Sequence, residues 1–199
     1  MHYDQWAARY DEDTQRFGWC APQRVLEAVL ERLVPQPALR VLDLGVGTGQ
    51  CSTPFLRVGA SVVGVDAAPA MLEQARKRGT FAQLVELKLG EHSLGEALGP
   101  NATFDVVVAC GVLHFVSDLE DLFTELRGLV EDEGLLSLTT IPPQPRAFGP
   151  STRLRSPEVV ASGLTSAGFS VQHQDPFVAY YDRADRDDPV RYTLTVASA

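Results

Sequence analysis

Val41-Leu42-Asp43-Leu44-Gly45-Val46-Gly47-Thr48-Gly49 is the stretch that decides the fold. It closes an apolar, β-rich run that begins at Leu39, and three alternating glycines follow at once. Glycines directly after a buried strand permit a strained turn into a helix and let the backbone approach a ligand closely.

Outward from this stretch, short β-rich runs alternate with helix-length segments. The glycine turn leads into a helix predicted to reach about Val58. Ser61 to Val65 reads as the second strand, Phe81 to Leu89 as the third, and Phe104 to Ala109 as the fourth, an unbroken buried run. Pro69 to Arg78 reads as a helix with proline in its first turn. Leu119 to Val130 carries an apolar stripe at helical spacing (Leu119, Leu122, Phe123, Leu126, Leu129, Val130). Glu133-Gly134 then turns the chain into a fifth strand, Leu135 to Ile141. Upstream lie helical segments at residues 3–15 and Pro22 to Leu33. Downstream, the loop Pro142-Pro143-Gln144-Pro145 precedes Ser156-Pro157-Glu158, an N-cap, first-turn proline and first-turn acid that open a helix to Ala167. Phe169 to His173 and Tyr192 to Val196 alternate as two final strands. The pattern predicts an α/β fold: a doubly wound, mostly parallel, seven-stranded sheet with helices on both faces and a helical N-terminal cap.

The chain has 199 residues, 17 Lys+Arg against 26 Asp+Glu, and a formal net charge of −9. That balance, without a Lys/Arg cluster, argues against nucleic-acid backbones and anionic membrane surfaces as partners. The densest charge run, Asp182 to Asp188, mixes both signs. Cys20, Cys51 and Cys110 form no Cys-x-x-Cys pair and no zinc pattern, so they read as free thiols of a reducing compartment. The N-terminus lacks a basic-then-apolar leader, and the longest apolar uncharged run, Val106 to Ser117, is far short of the about 20 residues needed to span a bilayer. The expectation is a soluble, cytoplasmic protein. Oligomeric state is not legible.

Asp66 ends the second strand, twenty-one residues after Gly45. A carboxylate there accepts hydrogen bonds from both hydroxyls of an adenosine ribose. Two cofactor classes suit that geometry. A dinucleotide puts its pyrophosphate at the loop and prefers Gly-x-Gly-x-x-Gly without an acid beside it. Here the spacing is Gly-x-Gly-x-Gly, and Asp43 stands two residues before the first glycine. A carboxylate repels pyrophosphate and attracts the ammonium and sulfonium of S-adenosylmethionine (SAM). The alternative role for Asp43 is to cap the following loop.

With these residues in place, Val41–Gly49, Asp66 and the run Phe104-Asp105-Val106-Val107-Val108-Ala109-Cys110-Gly111-Val112-Leu113-His114 resemble the class I SAM-dependent methyltransferases. The opening Tyr3-Asp4-Gln5-Trp6-Ala7-Ala8-Arg9-Tyr10-Asp11, with Ala21-Pro22, resembles a narrower group, the Williams–Beuren region methyltransferase-like protein and its bacterial relatives. The similarity spans most of residues 3–141. It implies a single domain with a cap (1–34), a cofactor-binding core (39–141) and a substrate-side loop with final strands (142–199). It also implies that Asp43, Gly45, Gly47 and Gly49 line the methionine end and that Asp66 binds the ribose beside Ala67 and Met71. Glu91 falls where the family places an acid near the adenine amine, with the His92 N–H reaching the ring, although Asp-Ala is the commoner pair there. Cys110 sits where backbone contacts the methionine ammonium. Tyr3 and Tyr10 face the cofactor or bury against the core. Arg24 pairs with the SAM carboxylate or lies on the surface.

Methyl transfer from a sulfonium is an in-line displacement that needs alignment and exclusion of water. His114 is the histidine placed near the expected methyl, either as a base or as a contact. His2 and His173 have no evident role. The Asn-Pro-Pro-Tyr type of motif is missing, and Ile141-Pro142-Pro143-Gln144 only partly echoes it. The acceptor is expected to be a small molecule, with Arg146, Arg153 and Arg155 either receiving an anionic group or solvated. Two other readings stay open: a SAM-binding sensor or scaffold without transfer, and an NAD(P)-dependent oxidoreductase, which the absence of a Tyr-x-x-x-Lys pair disfavours.

Overall fold

The computed structural model describes residues 3–33, 38–181 and 188–199. Three helices lead in: α1 (Tyr3–Trp6), α2 (Tyr10–Arg16) and α3 (Ala21–Leu30). Strands and helices then alternate as β1 (Arg40–Leu44), α4 (Thr53–Arg57), β2 (Ser61–Asp66), α5 (Pro69–Arg78), β3 (Gln83–Glu86), α6 (Leu94–Leu98) and β4 (Phe104–Ala109). A 3-10 turn at Leu113–Phe115 precedes α7 (Leu119–Arg127), β5 (Val130–Thr140), α8 (Pro157–Ser166), β6 (Ser170–Tyr181) and β7 (Pro189–Ser198).

The strands form one seven-stranded sheet ordered β3-β2-β1-β4-β5-β7-β6. The pairs from β3 through β5 are parallel, and β7 runs antiparallel to both neighbours. Strand order reverses between β1 and β4, which opens a crevice at their carboxyl ends, the place where open α/β sheets bind ligands. The register makes that crevice useful. Leu44 pairs with Val65 on one side and Ala109 on the other, so Gly45, Asp66 and Cys110 leave the sheet side by side.

Alternation along the strands loads both faces. Leu42, Leu44, Val107, Leu136 and Leu138 bury against Leu94 of α6, Phe123 and Leu126 of α7, and Leu164 of α8. Val41, Val62, Val106, Val108 and Val196 bury against Val25 and Val29 of α3 and Phe55 of α4. A core apolar side chain of this kind contributes about 1.5–3 kcal/mol when fully buried. The sheet is thus doubly wound, as the sequence pattern predicts.

Several boundaries differ from expectation for local reasons. Residues 3–15 form two helices, with Ala7 between them buried against Ala68 and Met71. The segment Pro22 to Leu33 contributes α3, which packs on the sheet through β5 and β7 and so belongs to the core layer and not to the cap. The helix after the glycine loop is only Thr53–Arg57, because Thr48 to Ser52 remain in turns. Helix α7 stops at Arg127, and Val130 already pairs with Phe104. Pairing then jumps to Leu135 opposite Val106, with Glu133 at φ 64°, so Glu133-Gly134 interrupts β5 where a turn ahead of it was expected. No helix among the described residues is long and apolar enough to cross a membrane.

Candidate active site

Gly45, Gly47 and Gly49 all take positive φ. At Gly45 the requirement is double: φ is +67°, and an added Cβ would meet Val112 Cβ at 2.4 Å. The loop is held from below by Asp66. Its Oδ2 accepts the Gly47 N–H at 2.8 Å and its Oδ1 accepts the Ala68 N–H at 2.9 Å. Burial raises the Asp66 carboxyl, and those N–H groups pull it partly back. The acid expected at the ribose therefore also sets the shape of the loop.

Asp43 is buried at 1% exposure between β1 and the start of α4. Ser52 Oγ donates to its Oδ2 at 2.5 Å, which is why Ser52 does not cap α4, while Oδ1 is sealed without a hydrogen-bond partner. Burial pushes the Asp43 carboxyl up to about 7, with Ser52 opposing and the charge of Asp66 adding. Burial without a cation beside it is what raises this carboxyl, and a ligand cation at the idle oxygen would satisfy it where a pyrophosphate would not.

Above the crevice lies a continuous set of aromatic rings from both ends of the chain. Tyr3 contacts Tyr10 (centroids 6.4 Å) and, edge-on, Phe115 (5.8 Å). Phe115 stacks near His114 (4.0 Å), His114 meets Tyr192 (6.0 Å), and Tyr192 meets Trp19 (5.4 Å) and Tyr180 (6.3 Å). Trp19 covers the end of β4, where an added Cβ on Gly111 would touch its ring at 3.1 Å. Burial, then the Asp66 charge, pushes the Tyr3 hydroxyl up to about 12. Tyr10 is raised further by burial, with Tyr3, Cys110 and Asp66 adding, and Tyr192 is likewise raised by burial and Tyr180. Tyr180 and Tyr192 are contributions that sequence reasoning missed, because nothing local marks residues from β6 and β7 as neighbours of residue 3.

His114 is 7% exposed and its Nδ1 is sealed without a partner. Burial, helped by the Arg155 charge, lowers the imidazole to about 4, so it is neutral at physiological pH. Arg155 holds the 3-10 turn from behind, donating to the carbonyls of Leu113, Val116 (2.5 Å by distance) and Ser117. The arginines expected as anion receivers are thus otherwise engaged: Arg155 on these carbonyls and Arg146 with Asp188 at 3.3 Å. Arg153 is exposed, with a donation to the Pro150 carbonyl.

The remaining expected residues divide. Met71 is buried with Tyr3, Tyr10, Ala7 and Ala68, while Ala67 is exposed beside Asp66. Cys110 packs beside Cys51 at the end of β4. Glu91 and His92 are exposed, Glu91 pairing with Lys88 at 2.5 Å; their segment adjoins Asp66 through the Leu87 N–H, which donates to the Asp66 carbonyl at 2.9 Å. The Arg24 guanidinium pairs with Asp175 on β6 (2.5 Å) and lies over the Phe177 ring. His2 and most of the charge run, 182–187, lie outside the described residues; His173 is an exposed residue of β6.

A methyltransferase domain family matches residues 42–138. Methyltransferase-like protein 27 of Homo sapiens is 32% identical over 140 residues, which cover 69% of this chain and 56% of that protein. A ubiquinone biosynthesis O-methyltransferase of Cereibacter sphaeroides is 33% identical over 115 residues, 58% of this chain and 46% of that one. The chain thus matches about half the length of these curated relatives. A SAM-dependent methyltransferase from Mesorhizobium loti shares the fold, with a TM-score of 0.70 at 21% identity over 87% of this chain and 96% of that one. The glycine loop, the acids Asp43 and Asp66 and these matches converge: the chain carries a class I SAM-dependent methyltransferase domain over residues 42–138.

Proposed function

We propose that this protein transfers the methyl group of SAM to a small-molecule acceptor. The observation that carries the reading is the pairing of Asp66, which shapes the glycine loop, with Asp43, whose idle buried oxygen faces no protein donor. The residues suit the group. An added Cβ at Gly47 would touch only the Gly45 carbonyl oxygen, at 3.9 Å, so the loop is open to a ligand. Gly45, Gly47, Gly49, Asp43 and the backbone at Cys110 would hold the methionine end; Asp66, Ala67 and Met71 the ribose; and Glu91 and the His92 N–H the adenine. Tyr10 would close over the cofactor. Arg24 remains a candidate for the carboxylate only if it exchanges Asp175 for it.

SAM supplies an activated methyl on a positively charged sulfur. The chain has to align the acceptor and exclude water, and the rings of Tyr3, Phe115 and Tyr192 offer dry walls for that. His114, neutral and with Nδ1 free of protein partners, would accept a hydrogen bond from the acceptor's X–H and orient its lone pair. The ubiquinone biosynthesis relative is named for O-methylation, which favours a hydroxyl acceptor here. The charge of −9 disfavours nucleic acid. Three free thiols support a reducing compartment, the cytoplasm.

Parallel calorimetric titrations with SAM, S-adenosylhomocysteine and NAD test the reading. Micromolar binding of both adenosyl ligands and none of NAD is the expected outcome; tight NAD binding alone would overturn it.

A further inference from the structure

We propose that Asp11 is a positioning residue: it latches the N-terminal cap to the glycine loop and thereby sets how long a bound nucleoside ligand stays. The first half stands on the geometry alone; the second rests on the cofactor reading above.

Asp11 sits in the first turn of α2. Its Oδ1 accepts from Thr48 Oγ1 at 2.5 Å and from Gln50 Nε2 at 2.8 Å, both in the loop that follows β1. Its Oδ2 pairs with the Arg78 guanidinium in the last turn of α5. Arg78 is itself aimed by a second bond, Nε to the Thr48 carbonyl at 2.7 Å. One carboxylate therefore joins the cap, the glycine loop and α5. Gly49 belongs to the same arrangement, since an added Cβ there would meet the Arg78 stem at 3.3 Å.

An isolated exposed ion pair contributes little, and the Asp11 side chain is 47% exposed. Three features set this one apart. Four hydrogen-bonding groups share the network, Arg78 is held in position before it meets Asp11, and two of the donors are the loop itself. The cap is also pinned at the other end of α5. Ala68 offers no side-chain cap there, and Asp4 Oδ1 accepts the Ala70 N–H at 3.0 Å in its place. Between the two pins a cleft of about 220 Å³ borders Ala7, Asp11, Thr48 and Arg78, so the latch spans open space, while Ala7 and Tyr10 of the cap pack against Met71. Tyr10, next in sequence to Asp11, is one of the rings that face Asp66. Releasing Asp11 frees Tyr10 to swing away from the ribose acid, which opens a path for the ligand.

Hydrogen exchange on the ligand-free protein tests the latch. Asp11→Ala and Arg78→Ala should each raise exchange of the amides in residues 3–16 about tenfold or more, with β1 and β4 unchanged, and the double variant should add nothing further. Unchanged cap exchange overturns the proposal. So does a uniform rise that includes β1 and β4, which would make Asp11 a general stabiliser of the fold. Stopped-flow release of S-adenosylhomocysteine, read by tryptophan fluorescence, tests the second half: Asp11→Ala should release it about tenfold faster, and Asp11→Asn, which keeps an acceptor for Thr48 and Gln50, should fall between. A looser cap with an unchanged release rate overturns the claim about residence. Wild-type protein that binds no adenosyl ligand overturns the cofactor reading, while exchange still decides the latch.

Discussion

Replacing Asp43 with asparagine should abolish a proton that the protein otherwise releases when it binds SAM. Burial brings the Asp43 carboxyl from the ordinary 3.8 up to about 7, so at pH 7 about half of the molecules carry the proton. An ammonium or sulfonium docked beside the sealed Oδ1 favours the ionised form and expels it. Asp43 should thus release about half a proton per SAM bound at pH 7, and almost none at pH 9, where it is already ionised. The assay is calorimetric titration in two buffers of unlike ionisation enthalpy, whose difference gives the proton count. The ligand's own α-amino group titrates at about 7.7–8.0 and is mostly protonated at pH 7, so there wild type minus Asp43→Asn reports chiefly Asp43. The same shift has a folding consequence with a fixed sign. The folded carboxyl titrates near 7 and the unfolded one near 3.8, so between those values the folded state binds more protons and stability falls as pH rises. Fully present below pH 4, that contribution is lost by pH 7 and is worth about 4 kcal/mol at about 1.4 kcal/mol per unit. Asp43→Asn should lack this slope. Equal proton release from the two proteins at pH 7 would refute the placement of Asp43 at the cationic end of the ligand.

Three further predictions follow from the same geometry. Asp66→Ala should weaken SAM binding more than about tenfold, because it removes ribose acceptors and also frees the Gly47 N–H; unaltered affinity in a folded variant would defeat the ribose assignment. Gly45→Ala should lower the melting temperature strongly, and Val112→Ala in the same chain should recover only part of the loss, since the 2.4 Å clash goes but the +67° φ stays. The His114 imidazole should titrate near 4 by nuclear magnetic resonance and show no midpoint between pH 5.5 and 8; a midpoint near 6.5 would contradict its burial beside Arg155.

Strands that run through the middle of the sheet were legible because burial on both faces makes them unbroken apolar runs, as in Phe104 to Ala109, and Pro69 marked the start of α5. Edge structure was harder to read. Strand β6 extends to Tyr181, well past His173, but irregularities after Val171 and Val178 break the two-residue alternation that would announce it. Helix α6 has five residues and a Ser93 cap, too short for a periodic signal. Around the glycine loop, the spacing of Asp43 and Asp66 from the glycines was enough to place both acids beside it. Ser52, Asp11 and Tyr192 were not legible in this way: Ser52 acts on Asp43, nine residues back across the glycine loop, while Asp11 and Tyr192 act through partners far along the chain, Arg78 and His114. Nothing local to Arg24 announces its partner Asp175, which lies 151 residues away.

The ring wall above the crevice draws on Tyr3, Tyr10 and Trp19 from one part of the chain and on Phe177, Tyr180 and Tyr192 from another. His114 and Phe115 join them and, like the glycine loop, Asp43 and Asp66, lie within the family match at residues 42–138. This is a division of labour along the polypeptide. On the proposed function, the interior module would hold the donor and would share the acceptor wall, through His114 and Phe115, with two flanking segments that meet only in three dimensions. Such an arrangement would let acceptor preference drift through substitutions at Phe177, Tyr180 and Tyr192, which lie outside the glycine loop and its latch. It also means that grafting one flank alone from a relative should leave mismatched halves of a single wall, so specificity should transfer only when both are exchanged together.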